Sequence, residues 1–109
     1  MARGGEKEAV VAARLRFARL TAGLSQRELG IRAGMDPSVA SPRVNQYERG
    51  KHTPDTSTIG KLGQVLNVPV AYFFAEEDEL AALITMFHRL PSVARRKLTI
   101  FLAKLTEPT

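Results

Sequence analysis

Helix-start signals follow one another at short intervals in the first half of the chain. Ser25 precedes Glu28 by three residues, which is the spacing of a capping box, in which each side chain bonds to the backbone of the other residue. Asp36 stands directly before Pro37, a residue that suits the first position of a helix. Because such signals are closely spaced, this part of the chain is restricted to short helices that pack against one another.

A further helix-start signal, Ser before Pro, lies close behind Asp36-Pro37. Ser41 precedes Pro42, and a proline at this place would break a helix already under way, so we predict a short turn over residues 37–40 and a separate helix over 42–49. Elsewhere apolar residues recur at helical spacing, and no segment alternates as a strand does. The other predicted helices cover residues 7–22, 25–33, 55–67, 72–74, 80–90 and 93–105. The predicted fold class is all-α.

Positive charge is concentrated in the first half of the chain. The 109 residues include 16 Lys and Arg and 11 Asp and Glu, a net charge of +5. Residues 1–54 hold ten basic and five acidic residues and so carry the whole excess. We interpret Arg14 and Arg16 as plain solvent charges, and the remaining excess favours a polyanion or an anionic surface as partner.

Several classes of function are disfavoured by what the sequence lacks. It has no Cys, which excludes disulfides and zinc fingers. Its longest apolar run, residues 68–75, is far shorter than the roughly 20 residues that cross a bilayer, so we expect a cytoplasmic protein with no membrane segment. Neither His has a partner at a catalytic spacing, and no phosphate-binding motif occurs. We therefore expect no enzyme, metal or cofactor.

A set of short motifs occurs in a fixed order along residues 10–74. They are Leu15-Arg16-x-x-Arg19, Gly23-Leu24-Ser25-Gln26-x-Glu28-Leu29, Ala33-Gly34, Tyr47-Glu48-Arg49-Gly50-Lys51, Pro54 and Leu66-x-Val68. In order and spacing they resemble the helix-turn-helix family of phage repressors and Cro-like regulators. The resemblance implies a five-helix, lambda-repressor-like DNA-binding domain over residues 1–75, whose third helix enters the major groove. The chain departs from the family in having a longer turn at residues 36–40.

The exposed face of the third helix provides the predicted contacts to DNA bases. Counting back from Glu48, helical geometry places Val44 and Tyr47 on one side and polar residues on the other. Arg can pair with guanine and an amide with adenine, so this face suits base recognition, although a solvated helix face is the alternative. The predicted base-contacting residues are Ser41, Arg43, Asn45 and Gln46.

Predicted contacts to the sugar-phosphate backbone lie beside this face. Gln26 begins the second helix, where free amides and the helix dipole favour a phosphate oxygen, and the resemblance implies that this Gln bridges to DNA. The resemblance likewise implies backbone contacts at the end of the third helix and in the loop after it. These residues are Arg49, Lys51 and His52. Such contacts position the protein without specifying sequence.

Two further expectations concern packing. Arg19 and Glu48 fall on apolar faces, and related domains pair an Arg with a Glu at matching positions, so we predict a largely buried ion pair. Gly30 stands where the family usually has Ala and where the second and third helices approach each other. This exchange lowers helix propensity by about 1 kcal/mol and suggests a close contact.

The C-terminal helices, over residues 76–109, carry more apolar surface than one small domain needs to close its core. We interpret this segment as a dimerisation segment. The predicted interface residues are Leu83, Ile84, Phe87, Leu98, Phe101, Leu102 and Leu105. A homodimer would place two recognition helices about 34 Å apart on a near-palindromic double-stranded operator.

Three functions remain open from the sequence. The first is a sequence-specific, double-stranded-DNA-binding transcriptional regulator that represses by occupying its operator. The second is an antitoxin-like protein-interaction module that also represses its own operon. The third, a small hydrolase, is disfavoured because no acid, base or nucleophile spacing is present.

Overall fold

A computed structural model describes residues 4–108 of the chain, with side chains from Glu6 onward. All of its regular elements are helical. They are α1 (Gly4–Thr21), α2 (Gln26–Arg32), α3 (Pro37–Glu48), α4 (Thr56–Leu66), a short 3₁₀ helix (Val70–Phe74), α5 (Asp78–Arg89) and α6 (Ser92–Thr106). Because residues 4–108 contain no strand, the all-α prediction is confirmed.

Local capping sets the start of α2 and α4. The Ser25 hydroxyl accepts a hydrogen bond from the Glu28 backbone N–H, and the Glu28 carboxylate accepts one from the Ser25 N–H, so the predicted capping box is present. Asp55 accepts from the Thr58 N–H at the start of α4. These bonds satisfy donors that have no partner within the helix, and they fix where each helix begins.

The predicted turn over residues 37–40 is not present, and the prediction of a separate helix from Pro42 is wrong. A single helix, α3, runs from Pro37 to Glu48 with Pro42 inside it. Asp36 caps the start of α3, and its carboxylate accepts a hydrogen bond from the Ser38 backbone N–H over 2.8 Å. The Asp-Pro signal is therefore the true start, one turn earlier than predicted.

Burial explains why α3 continues through a proline. Pro42 removes one backbone hydrogen bond and costs an exposed helix about 3 kcal/mol. Ala40 and Val44 lie one turn apart and are both fully buried. Their burial, worth about 1.5–3 kcal/mol for the Val side chain alone, offsets the cost of the proline. As a result, Ser41 lies in the second turn of α3 rather than at its start.

One hydrophobic core joins the first four helices to the 3₁₀ helix. Its largest fully buried side chains include Leu15 of α1, Leu29 of α2, Leu62 of α4 and Phe73 of the 3₁₀ helix. Tyr72 packs edge-on against Phe73, with ring centroids 5.3 Å apart. The core therefore holds α2 and α3 in a fixed position on the body formed by α1 and α4.

Helix α5 is attached to this body through arginines as well as through the core. Arg14, which we had interpreted as a solvent charge, instead donates to the carbonyls of Ala75 and Glu76 and to the carboxylate of Asp78, so that interpretation is wrong. Arg89 donates to the carbonyls at the end of α4. Ala81 belongs to the core cluster. By contrast, α6 contains no buried residue.

Candidate nucleic-acid interface

Close contact between α2 and α3 positions the candidate interface. A methyl group added to Gly30 would lie 2.7 Å from the Cβ and 3.0 Å from the Cα of Ala40. Only a residue without a side chain allows the two helix backbones to approach this closely. The close contact expected at Gly30 is thus confirmed, and the residue opposite it is Ala40.

The outer face of α3 is polar and basic. Arg43, Gln46 and Arg49 are exposed, while Val44 on the opposite side is fully buried. Ser41 and Asn45 are half-buried at the edges of this face. Asn45 and Gln46 therefore lie toward the exposed side of α3, with Arg43 on one flank and Ser41 on the opposite flank, and Arg43 and Gln46 are the most accessible of the four.

Two residues that the sequence analysis did not assign share this exposed face. Ser38 and Pro42 are both exposed and lie one turn apart on α3. The Ser38 hydroxyl donates to the Asp36 carboxylate over 2.6 Å. Taking Asp36-Pro37 as the start of the third helix would have included Ser38 in the candidate surface.

A polar network connects the start of α2 to α3. The Gln26 amide nitrogen donates to Asn45 Oδ1 and to Glu48 Oε1, each over 3.2 Å. Gln26 is therefore oriented by α3, beside the residues predicted to contact bases. The network also restrains the Asn45 side chain in one position.

The predicted ion pair lies beneath this network. Arg19 Nε donates to Glu48 Oε2 over 2.5 Å, and Arg19 Nη2 donates to Glu48 Oε1 over 2.9 Å. The two side chains are 10% and 3% exposed, and Arg19 also donates to the Leu24 carbonyl. The hydrogen bond to Glu48 raises the pKa of the Arg19 guanidinium above its ordinary value. This bidentate contact between α1 and α3 restrains the rotation of α3.

Basic residues continue past the end of α3. Lys51 and His52 are exposed in the loop that follows, and both of their backbone N–H groups donate to the Gln46 carbonyl. Glu48 is the single acidic residue between residues 37 and 54, and its carboxylate is paired with Arg19. The surface formed by α3 and this loop therefore presents the charges of Arg43, Arg49 and Lys51, and the exposed carboxylates of Asp36 and Asp55 flank it at either end.

The described part of the chain contains no cluster of three or more His, Cys, Asp or Glu side chains that could hold a metal ion. Among these same residues, no helix has the length and apolar character needed to cross a membrane.

Comparisons with known proteins agree with this geometry. The helix-turn-helix family model matches residues 15–73. Uncharacterized HTH-type transcriptional regulators of Sinorhizobium medicae (strain WSM419) and Rhizobium meliloti (strain 1021) are each 33% identical to the chain over 66 residues. These matches cover 61% of the chain and 45% of each relative, so the chain spans about half the length of the curated relatives it matches.

A solved structure extends the similarity beyond the matched region. The crystal structure of transcriptional regulator BswR is 45% identical to the chain, with a TM-score of 0.79, and the match covers 85% of this chain and 92% of that one. The family match spans more than half of the 109 residues. The chain therefore belongs to the Cro and phage-repressor type of helix-turn-helix DNA-binding proteins.

Proposed function

We propose that the protein is a sequence-specific transcriptional regulator that binds double-stranded DNA with α3 in the major groove and represses by occupying an operator. The observation that carries this proposal is the exposed polar face of α3, held by the buried pair of Arg19 and Glu48. A rigidly supported helix can present side chains to base edges at a fixed depth. The proposal places this activity in the cytoplasm.

The proposed base contacts follow from the side chains on that face. Arg43 has the donor fork that pairs with guanine N7 and O6, and the Gln46 amide can pair with adenine. Asn45 uses its Oδ1 to accept from Gln26, which leaves its amide nitrogen as a donor toward DNA. Ser41 is half-buried in the second turn of α3, so we assign it the smallest part of the four.

The proposed backbone contacts surround the base-contacting face. Arg49, Lys51 and His52 are exposed at the end of α3 and just beyond it, where phosphates on one side of the groove would lie. Gln26 lies at the start of α2, next to Asn45. We propose that Gln26 contacts a phosphate at this place.

We also propose a homodimer formed through the C-terminal helices. Five of the predicted interface residues carry exposed apolar side chains, which water would otherwise hydrate. They are Leu83, Phe87, Phe101, Leu102 and Leu105. Leu98 is half-buried, and Ile84 packs against the core of its own chain, so Ile84 contributes less than predicted. Two chains would then bind a near-palindromic operator with half-sites about 34 Å apart.

The test is a selection of binding sites from a random duplex library, carried out with the parent chain and with single variants. Arg43→Ala and Gln46→Ala should each change the preferred base at one position per half-site, worth about 1–3 kcal/mol of discrimination. Lys51→Ala should weaken binding to all duplexes alike and reduce the salt dependence. Arg16→Ala, which removes an exposed charge of α1, is the matched control and should change neither. An unchanged consensus for both Arg43→Ala and Gln46→Ala would contradict the assignment.

The exposed apolar face of α6 also supports a second candidate, an antitoxin-like module that binds a protein partner and represses its own operon. The two candidates differ in what covers this face. Self-association of the purified chain would cover it without another protein. A chain that stays monomeric at tens of micromolar in sedimentation would favour the second candidate.

A further inference from the structure

An apolar groove of about 770 Å³ lies between α1 and α5. Small side chains line it, and they include Ala13 and Ala18 of α1 and Ala82 of α5. Because these residues are too small to fill the space between the helices, the groove stays open. Large apolar side chains stand at its edges: Phe17 is 63% exposed and Met86 is 57% exposed.

The groove is not covered by the chain's own α6. None of the residues that line it comes from α6. Arg95, in the first turn of α6, donates to the carbonyls of Phe87 and His88 and lies 5.2 Å from the centroid of the Phe87 ring. These contacts tie the start of α6 to the end of α5, and no residue of α6 is buried.

Helix α6 has an apolar face that nothing in its own chain covers. Leu98, Phe101, Leu102 and Leu105 are spaced three and four residues apart and so share one side of the helix. The last three are each about half exposed or more. The chain thus presents both an open apolar groove and an unpartnered apolar helix.

We propose that α6 of each chain occupies the groove between α1 and α5 of a second copy, so that the two chains exchange their C-terminal helices. This inference rests on the homodimer proposed above and states where its interface lies. It adds Phe17 on α1 to the interface, whereas the interface residues predicted from the sequence all lie in the last two helices. The helix that carries Arg19 would then contact the partner chain directly.

Charge complementarity favours a second copy as the occupant. Helix α6 has four basic residues and no acidic one. The basic residues are Arg95, Arg96, Lys97 and Lys104. The groove is lined by Arg14, Asp78 and Arg89, and Arg14 is paired with Asp78. Next to Asp78, at the start of α5, the carboxylates of Glu76, Glu77 and Glu79 are exposed. The basic α6 of a partner chain that enters this groove would lie near these carboxylates. If the two α6 helices packed against each other instead, their basic residues would repel.

Large exposed apolar side chains lie on both halves of the proposed contact. Phe17 and Met86 flank the groove, and Phe101, Leu102 and Leu105 lie on the apolar face of α6. An exchange between two identical chains makes the same contact twice, so both grooves and both α6 faces are covered.

The absence of cysteine allows a direct test with introduced thiols. Two chains are co-expressed in full length, one with Phe17→Cys and the other, carrying an affinity tag, with Phe101→Cys or Leu105→Cys. After mild oxidation the exchange predicts a mixed disulfide between the two chains, since a disulfide requires Cα atoms within about 7 Å. Arg16→Cys replaces Phe17→Cys in the control, because Arg16 is exposed on α1 but does not line the groove. No mixed disulfide is expected there.

Self-association provides a second readout. Phe17→Asp should weaken dimerisation about tenfold or more without lowering the urea midpoint of the monomer. Arg16→Asp should change neither the dimerisation nor the urea midpoint. If the α6 thiols join to each other and never to Phe17→Cys, the exchange is wrong while the proposed dimer stands. If the full chain is monomeric, both the exchange and the dimer are wrong, although binding of a single half-site can still be measured.

Discussion

Gly30→Ala should destabilise the protein, even though Ala is the better helix former. The exchange gains about 1 kcal/mol of helix propensity. The added methyl group, however, would lie 2.7 Å from the Ala40 Cβ and 3.0–3.1 Å from its Cα and carbonyl oxygen. Backbone atoms cannot rotate away, so α2 and α3 must separate, and overpacking of this kind costs about 1–3 kcal/mol. We expect a net loss of stability and, because α3 moves, weaker DNA binding.

Gly60→Ala is the matched control, because Gly60 also lies within a helix and a methyl group added to it would meet nothing within 4 Å. It should increase the free energy of unfolding by up to about 1 kcal/mol. Urea unfolding of both variants and the parent measures the difference. Combining Gly30→Ala with Ala40→Gly should recover part of the loss, which a double-mutant cycle detects as coupling. The packing argument would be refuted if Gly30→Ala were as stable as Gly60→Ala.

The remaining predictions concern charge. Glu48→Ala should lower the free energy of unfolding by about 3–5 kcal/mol, because it leaves Arg19 buried without its partner. Asp78→Ala, which removes the 98% exposed partner of Arg14, should cost less than about 1 kcal/mol; equal urea midpoints for the two variants would contradict the role assigned to burial. The hydrogen bond from the Thr58 N–H holds the pKa of Asp55 below its ordinary value of 3.8. The ionised Asp55 cap therefore contributes fully to the free energy of unfolding above pH 3.8, and this contribution is lost as the pH falls through the lowered pKa. Asp55→Asn keeps a capping acceptor that does not titrate, and its melting temperature should decline less in acid than that of the parent; an identical decline would show that this cap does not contribute.

Local signals were sufficient for the helix starts and for much of the candidate site. The capping partners, Ser25 with Glu28 and Asp36 with Ser38, lie within three residues of each other, so the sequence displays both partners of each cap. The rule at Pro42 failed because it is also local. Whether a proline ends a helix depends on what the surrounding turns bury, and the burial of Ala40 against Gly30 is a tertiary contact.

Long-range contacts of arginines could not be predicted from the sequence. Arg14 bonds to residues 61 to 64 positions away, and no local pattern distinguishes it from Arg16, which is exposed. Arg95 could not be assigned for a similar reason, because its contacts depend on the angle between α5 and α6. The groove at Phe17 likewise follows from how far α1 and α5 lie apart, a distance that helical spacing does not determine.

The central claim is that the exposed face of α3 recognises a DNA sequence rather than charge alone. Equilibrium titration of the full chain against its selected site, and against a scrambled duplex of the same length and base composition, tests this most directly when repeated at several salt concentrations. The account predicts that the selected site binds at least about 1,000-fold more tightly, while affinity for both duplexes falls as salt increases. Equal affinity for the two duplexes at every salt concentration would contradict it.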